Sequence, residues 1–328
     1  KKFMNNKLLS VSVAAYNVEK TIEQCLDSFI QSKKLDLFEV LVVNDGSNDN
    51  TKKIVSAYVK KYPNTIRLID KKNGGHGSTI NAAVKTASGK YFKVVDGDDW
   101  VDTDAFDRLL EFLKTTDADL ILNNYQEVYP KRKKQIDVIR HYAVDKIYSF
   151  DDMDPLYCLP MHATTIKLSK YRAVNESISE HRFYVDTEYV AFVAVAAKTV
   201  IFNEECVYQY RLGESGQSVS PEGMYKHIED LIFVVERLTN FYFEKANNIS
   251  PIYKKYILSI IDTRYNMIFG CFVSFKKSDK DWMLEKFDRK MITQYPTIAK
   301  KVNLYNKKCI RWNYRIILPV LRFLKNII

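Results

Sequence analysis

Short apolar runs alternate with segments of helical spacing over the first third of the chain. Leu8–Ala14 (LLSVSVA), Phe38–Asp45 (FEVLVVND), Thr65–Asp70 (TIRLID) and Tyr91–Asp99 (YFKVVDGDD) read as strands. Between them, Glu19–Gln31 places Ile22, Leu26, Phe29 and Ile30 on one helical face. Thr51–Tyr62 does the same with Ile54, Val55 and Tyr58, and Ser78–Thr86 is a shorter Ala-containing helix. Strands alternating with helices predict an α/β fold, with βαβ units and a mostly parallel sheet covered on both faces. Farther on, Leu120–Val128, Gln135–His141, Ala163–Lys167, Thr199–Asn203 and Val207–Leu212 read as a mixed continuation of that sheet, with an apolar helix at Thr187–Ala197. Beyond Pro221 only helices are expected: Tyr225–Ala246, Ile252–Phe275 and Asp279–Ile292. The division expected is a first domain over 1–220 and an α-helical region over 221–328.

Four successive strands end in polar, turn-forming residues at what should be one edge of the sheet, where ligands of such folds bind. Tyr16-Asn17 follows the first and Asn44-Asp45-Gly46-Ser47 the second. Asn73-Gly74-Gly75-His76 follows the third and Asp96-Gly97-Asp98-Asp99 the fourth. Three carboxylates in four residues repel one another unless a cation relieves them, and a hard divalent ion accepts such oxygens together with substrate phosphates. Gly97 would let a ligand come close. The alternative is a plain turn in which Asp99 or a following residue caps the next helix. Asp49 or Thr51 is expected to cap the helix after the second strand. The glycine cluster lacks the Lys of a Walker loop and the G-x-G-x-x-G spacing, which removes the main support for kinase, ATPase and dehydrogenase readings.

The order Tyr16-Asn17, Asp45-Gly46-Ser47-x-Asp49-x-Thr51, Asn73-Gly74-Gly75, Asp96-x-Asp98-Asp99 closely resembles family 2 glycosyltransferases of the GT-A fold, over about the first 115 residues. That resemblance implies a UDP-sugar donor, inversion at the anomeric carbon, and Mn²⁺ or Mg²⁺ held by Asp96, Asp98 and Asp99. Which of Asp98 and Asp99 ligates more directly stays open. It places Asp45 against the uracil and Asp96 at the ribose or metal. Ala14, Tyr16, Asn17, Glu19, Gly46, Ser47, Asn73, Gly74, Gly75 and Gly97 join them as donor contacts. It also implies a catalytic base well downstream of the Asp cluster. The matching segment is His181-Arg182-Phe183-Tyr184-Val185-Asp186-Thr187-Glu188, with Val185 where the family more often has Glu. Asp186 is therefore the expected base, unless it only caps the helix that follows, and Glu188 is the fallback. His162, His181, Asp99 and Trp100 are expected on the sugar or acceptor side. A loop carrying Arg211, Gln217 and Ser218 is expected to close over the diphosphate. A sugar nucleotidyltransferase is the rival enzyme, but Ala14–Glu19 contains no Gly-rich, Lys/Arg-bearing loop. The rival outside enzymes is a catalytically silent nucleotide- or glycan-binding scaffold, against which the retained Asp96, Asp98 and Asp186 argue.

Charge adds a second theme. The chain has 328 residues and a formal charge of +10, and its last 53 residues hold 14 Lys/Arg against 4 Asp/Glu. On a helical wheel Lys307, Lys308, Arg311, Arg315, Arg322 and Lys325 gather opposite Ile316, Ile317, Val320, Phe323, Leu324 and Ile327. A basic amphipathic segment over 306–328, with Trp312 and Tyr314 near its start and Pro319 breaking it, is expected to touch an anionic membrane surface. The alternatives are packing on the chain's own helices and a homodimer contact. No nucleic-acid motif accompanies the charge. Five cysteines without a C-x-x-C pair suit a reducing compartment, and no apolar run reaches the roughly 18 residues of a membrane span. The expected location is cytoplasmic, at the inner face of the membrane, with a lipid- or protein-linked glycan as acceptor.

Overall fold

A computed structural model describes residues 7–154, 159–213, 220–245, 247–275, 279–301, 310–311 and 313–325. Two compact units are present, one of residues 1–154 with 159–214 and one of 155–158 with 215–328.

The first unit is built on a ten-stranded sheet. Its opening half runs β1 (Leu9–Ala15), α1 (Ile22–Ile30), β2 (Phe38–Asp45), α2 (Thr51–Lys61), β3 (Ile66–Lys71), α3 (His76–Thr86) and β4 (Tyr91–Asp96). A short β5 (Trp100–Val101) leads into α4 (Thr103–Thr115). The rest comprises β6 (Leu120–Tyr129), β7 (Arg132–Ile136), β8 (Ile147–Ser149), β9 (Thr164–Lys167), α5 (Leu168–Ala173), α6 (Asp186–Ala196) and β10 (Thr199–Arg211). Strand order is β3-β2-β1-β4-β9-β6-β10-β5, with β7 on β6 and β8 on β10. Because β1 pairs in parallel with both β2 and β4, the order reverses there, and a crevice opens beyond Ala15, Asp45 and Asp96.

Sequence chemistry explains these elements. β2 is buried along its whole length, as a strand covered on both faces must be. α4 begins where the Asp102 carboxylate accepts the Ala105 N–H at 2.9 Å, so the cap is the residue three beyond Asp99. Its buried Phe106 meets Phe29 and Phe38 edge-on, with ring centroids 5.3 and 5.0 Å apart. Asp49 accepts the Thr51 N–H at 3.0 Å, while the Thr51 hydroxyl accepts the Val18 N–H at 2.9 Å.

Two strand expectations change. In place of a strand over Gln135–His141, β7 returns along β6 over Arg132–Ile136, and Asp137 then turns the chain by accepting the Ile139 and Arg140 N–H groups. In place of two strands after Thr199 there is one, β10, bulged between Asn203 and Tyr208.

The second unit contains α7 (Pro221–Lys226), α8 (Ile228–Lys245), α9 (Pro251–Ser274), α10 (Asp281–Gln294), α11 (Pro296–Lys301) and α12 (Tyr314–Lys325). Buried Asp288 on α10 accepts from Arg311, Tyr265 and Tyr314. Arg322, 6% exposed, pairs with Asp281 and donates to the Phe272 carbonyl. The described part of the tail divides in two, with Tyr314 and Leu318 buried and Arg315 exposed. Arg311 and Arg322 turn inward to acids of their own unit, while Ile316, Val320 and Phe323 are exposed. Lys307, Lys308, Trp312 and Ile327 lie outside the described residues, as do Gln217 and Ser218. Among the described residues, no helix is long and apolar enough to cross a membrane.

Candidate active site

The acidic turn after β4 sits at the crevice. Asp96, the last residue of β4, is level with Ala14 of β1. Its carboxylate lies 2.8 Å from His76 Nε2, at the start of α3. Burial opposes charge on Asp96, but the imidazole, by charge and hydrogen bond, outweighs it and holds the carboxyl below its usual range. His76 gains correspondingly: burial disfavours its cation, yet Asp96, and more weakly Asp186 and Asp98, raise its pKa.

Asp99 is enclosed, 2% exposed. It accepts the Tyr208 hydroxyl at 2.5 Å and the Arg211 N–H at 2.7 Å. Burial first, then the charges of Asp98 and Asp96, push its pKa well up. Asp98 projects from the turn with an exposed side chain. The surrounding protein and then the Asp96 charge raise it to about 6. The aromatic wall above these acids is His162, stacked on Tyr210 at 4.2 Å and edge-on to Tyr208 at 4.6 Å. Burial lowers the His162 pKa to about 4, so the ring is neutral and free to offer a lone pair. It is held from behind by Lys93, a fully buried lysine whose ammonium donates to the His162 and Thr164 carbonyls at 2.8 and 3.3 Å. Burial lowers Lys93 to about 7.

Asp96, Asp99 and His162 each present a ligand atom, all within 4.8 Å of one another. Two carboxylate oxygens and an imidazole nitrogen form a donor set that fits a divalent metal ion. Asp98, expected as a ligand, is outside that group, and His162, expected on the sugar side, is inside it. Each Asp99 oxygen accepts one hydrogen bond, from Tyr208 or Arg211, and the Arg211 guanidinium lies over the Trp100 ring at 4.7 Å. Arg211 also donates to the Asp98 carbonyl and to Gln24, so it braces the acidic turn.

The neighbouring loops are stitched mainly to each other. Asp45, expected to face a base, is 2% exposed and binds the next loop. It accepts the Gly74 and Gly75 N–H groups at 2.9 and 2.8 Å and the Lys71 ammonium at 2.6 Å. Asn73 donates to the Asp45 carbonyl. Gly46 and Gly75 have positive φ, +74° and +79°. Ser47 accepts the Asn17 N–H, and Glu19 accepts from Asn50. These residues therefore shape the floor of the crevice, while Tyr16 stands 49% exposed at its mouth. At Gly97 a Cβ would lie 2.6 Å from the Ala14 carbonyl oxygen, so the close packing of this turn on β1 requires a glycine there.

The segment before α6 is pinned to α3. Asn81 both donates to the Ile178 carbonyl and accepts its N–H, and His181 donates to the Gly74 carbonyl at 2.5 Å. His181 is exposed, with φ +54°. Asp186 follows as the first residue of α6. Its charge acts on His76, His162 and Tyr210, placing it on the same crevice as Asp96. Glu188 is completely buried and accepts the Ser179 N–H at 2.8 Å, which makes it a support of the loop and not a second base. The sequence alone gives His76, Lys93, Tyr208 and Tyr210 no role at the site. A lysine interrupting an apolar strand, and a histidine opening α3 beside the glycines, were the readable signals for the first two.

Residues 10–180 match the profile of Glycosyl transferase family 2. The glycosyltransferase EpsJ of Bacillus subtilis (strain 168) is 40% identical over 114 residues, 35% of this chain and 33% of EpsJ. The chondroitin synthase of Pasteurella multocida (strain Pm70) is 37% identical over 124 residues, 38% of this chain and 13% of the synthase. The match thus spans a third or less of these relatives. The fold is that of S. aureus TarS residues 1–349, solved with UDP-GlcNAc: the TM-score is 0.71 at 19% identity, covering 96% of this chain and 89% of that one.

Proposed function

The chain belongs to glycosyl transferase family 2, and from that premise we propose that it moves a hexose or N-acetylhexosamine from a UDP-sugar to a hydroxyl of a growing glycan. The observation that carries this reading is the gathering of Asp96, Asp99 and His162, with Asp186 acting on the same histidines, at the strand-order reversal of the sheet. UDP-GlcNAc bound to TarS, which shares the fold, supports a uridine donor, and chondroitin synthase among the relatives supports a polysaccharide acceptor.

In this reading the turns at Tyr16-Asn17, Asp45–Ser47 and Asn73–Gly75 receive the nucleotide. Asp96, Asp99 and His162 would hold a divalent ion, with Tyr208 and Arg211 fixing Asp99 for that task. A bound Mn²⁺ or Mg²⁺ supplies positive charge against the departing diphosphate. Asp186 accepts the proton of the acceptor hydroxyl as its oxygen bonds to the anomeric carbon and the bond to UDP breaks, which inverts that carbon. A membrane contact belongs to the exposed apolar side of α12, with Arg315 beside it.

The test is UDP release from a panel of UDP-sugars, with Mn²⁺ and with EDTA. One donor is expected to be hydrolysed slowly, and only with the metal. No turnover of, and no binding to, any UDP-sugar would remove the proposal.

A further inference from the structure

Lys131-Arg132-Lys133-Lys134 is a run of four cations spanning the β6–β7 turn and the start of β7. All four side chains are exposed. Among the described residues β7 pairs with β6 alone, which leaves the other edge of the ribbon without a strand neighbour there. Its place relative to the crevice follows from register. Val128 pairs with Lys133 on one side and with Arg211 on the other. Neighbouring strands stand about 4.8 Å apart, which puts Lys133 roughly 10 Å from Arg211 along the sheet. Arg211 itself donates to the Asp98 carbonyl at 2.7 Å. The cations are therefore an extension of the lip that carries the acidic turn.

They are also poorly neutralised. Among the described residues, the carboxylate in ion-pair range of the run is Glu127, 3.9 Å from Lys134. The Arg132 guanidinium lies over the Tyr129 ring at 4.7 Å, a contact that holds it without neutralising its charge. Edge strands are commonly protected from pairing by a lysine or two. Four successive cations on both faces of the ribbon exceed that need, and they stand at the end of the sheet where the reaction is placed. Along the strand, side chains two apart recur about every 7 Å on one face, a ladder for a partner with repeating charge.

We propose that this ribbon docks an acceptor that is itself a polyanion, a glycan bearing phosphodiester or carboxylate groups along its length, and leads its end toward Asp186. The inference rests on the glycosyl-transfer reading and specifies its acceptor by charge. A long polymer held on several weak contacts stays bound while its terminus exchanges, and electrostatic attraction speeds its capture.

The experiment uses the full chain, with equilibrium binding to poly(glycerol phosphate), polygalacturonate and neutral dextran at low and near-physiological ionic strength. The variants are Lys131→Gln/Arg132→Gln/Lys133→Gln/Lys134→Gln and the charge-keeping Lys131→Arg/Lys133→Arg/Lys134→Arg, both checked by thermal unfolding. The wild type is expected to bind at least one of the two polyanions, with strong salt dependence, and dextran weakly. The Gln variant should lose about tenfold or more of that affinity, and the Arg variant should keep it. The two polyanions separate phosphate from carboxylate as the recognised group. Unchanged binding by the Gln variant, or equal affinity of the wild type for dextran, overturns the proposal. So does a Gln variant that loses binding to anionic phospholipid vesicles while keeping that to the polymers. UDP-sugar affinity of the same wild-type sample reports on the donor reading separately, so the two can fail independently.

Discussion

At the scale of single residues, the site is a set of unequal acids. Asp186→Asn keeps the shape and removes the proton acceptor; turnover should fall about 10²–10⁴-fold while UDP affinity changes little. Single-turnover kinetics with UDP titration separates the two, and unaltered turnover would dismiss Asp186 as base. His162→Ala should weaken Mn²⁺ binding about tenfold or more, read by the free-ion resonance signal without any substrate present. Lys93 gives a pH prediction. Its folded pKa, about 7, lies below the 10.5 of a free lysine, so the unfolded chain binds the extra proton between those values and stability rises with pH across that window. Relative to Lys93→Met, the wild type should gain up to about 1.4 kcal/mol for each pH unit crossed there, measured by urea unfolding. The acidic turn itself was legible, because Asp-x-Asp-Asp after an apolar strand has few other uses. The partners of Asp45 and the neighbour of Gly97 were not, since both are contacts between loops some 30 to 80 residues apart in the chain, which no local pattern encodes.

Among the elements, the four parallel strands and their helices could be read from periodicity, because each buries a continuous or one-sided apolar face. β7 could not. A strand of Arg, Lys, Lys and Gln carries no alternation, and only its pairing with β6 makes it one. The last helix misled for a different reason: a wheel shows which residues share a side but not which side faces the protein. The ion pair of Arg322 with Asp281, helped by Arg311 with Asp288 just before the helix, decides that question for α12. Arg322→Ala leaves Asp281 partly buried without its partner and should destabilise the helical unit by about 3 kcal/mol in denaturant unfolding. Ile316→Ser/Val320→Ser/Phe323→Ser should leave that stability nearly unchanged and reduce sedimentation with anionic liposomes. Equal sedimentation would show that α12 does not serve as the contact.

For the whole molecule, the reaction centre is assembled from segments far apart in sequence: the ends of β1, β2 and β4, the start of α3, the turn before β9, the start of α6 and the end of β10. A sheet that reverses strand order gives them one lip. The segment from Asn175 to Asp186 hangs on that lip through Asn81 and through the hydrogen bond from His181 to Gly74. Gly74 is also one of the two amides gripped by Asp45. The glycine loop and the segment that carries Asp186, the proposed proton acceptor, are thus joined by hydrogen bonds. Two ligands joined through one tether obey reciprocity: if nucleotide tightens the hold on the second substrate by some factor, that substrate must tighten the hold on nucleotide equally. Titrating each in the presence of the other would show matched factors, and cutting the tether by Asn81→Ala should bring both toward one.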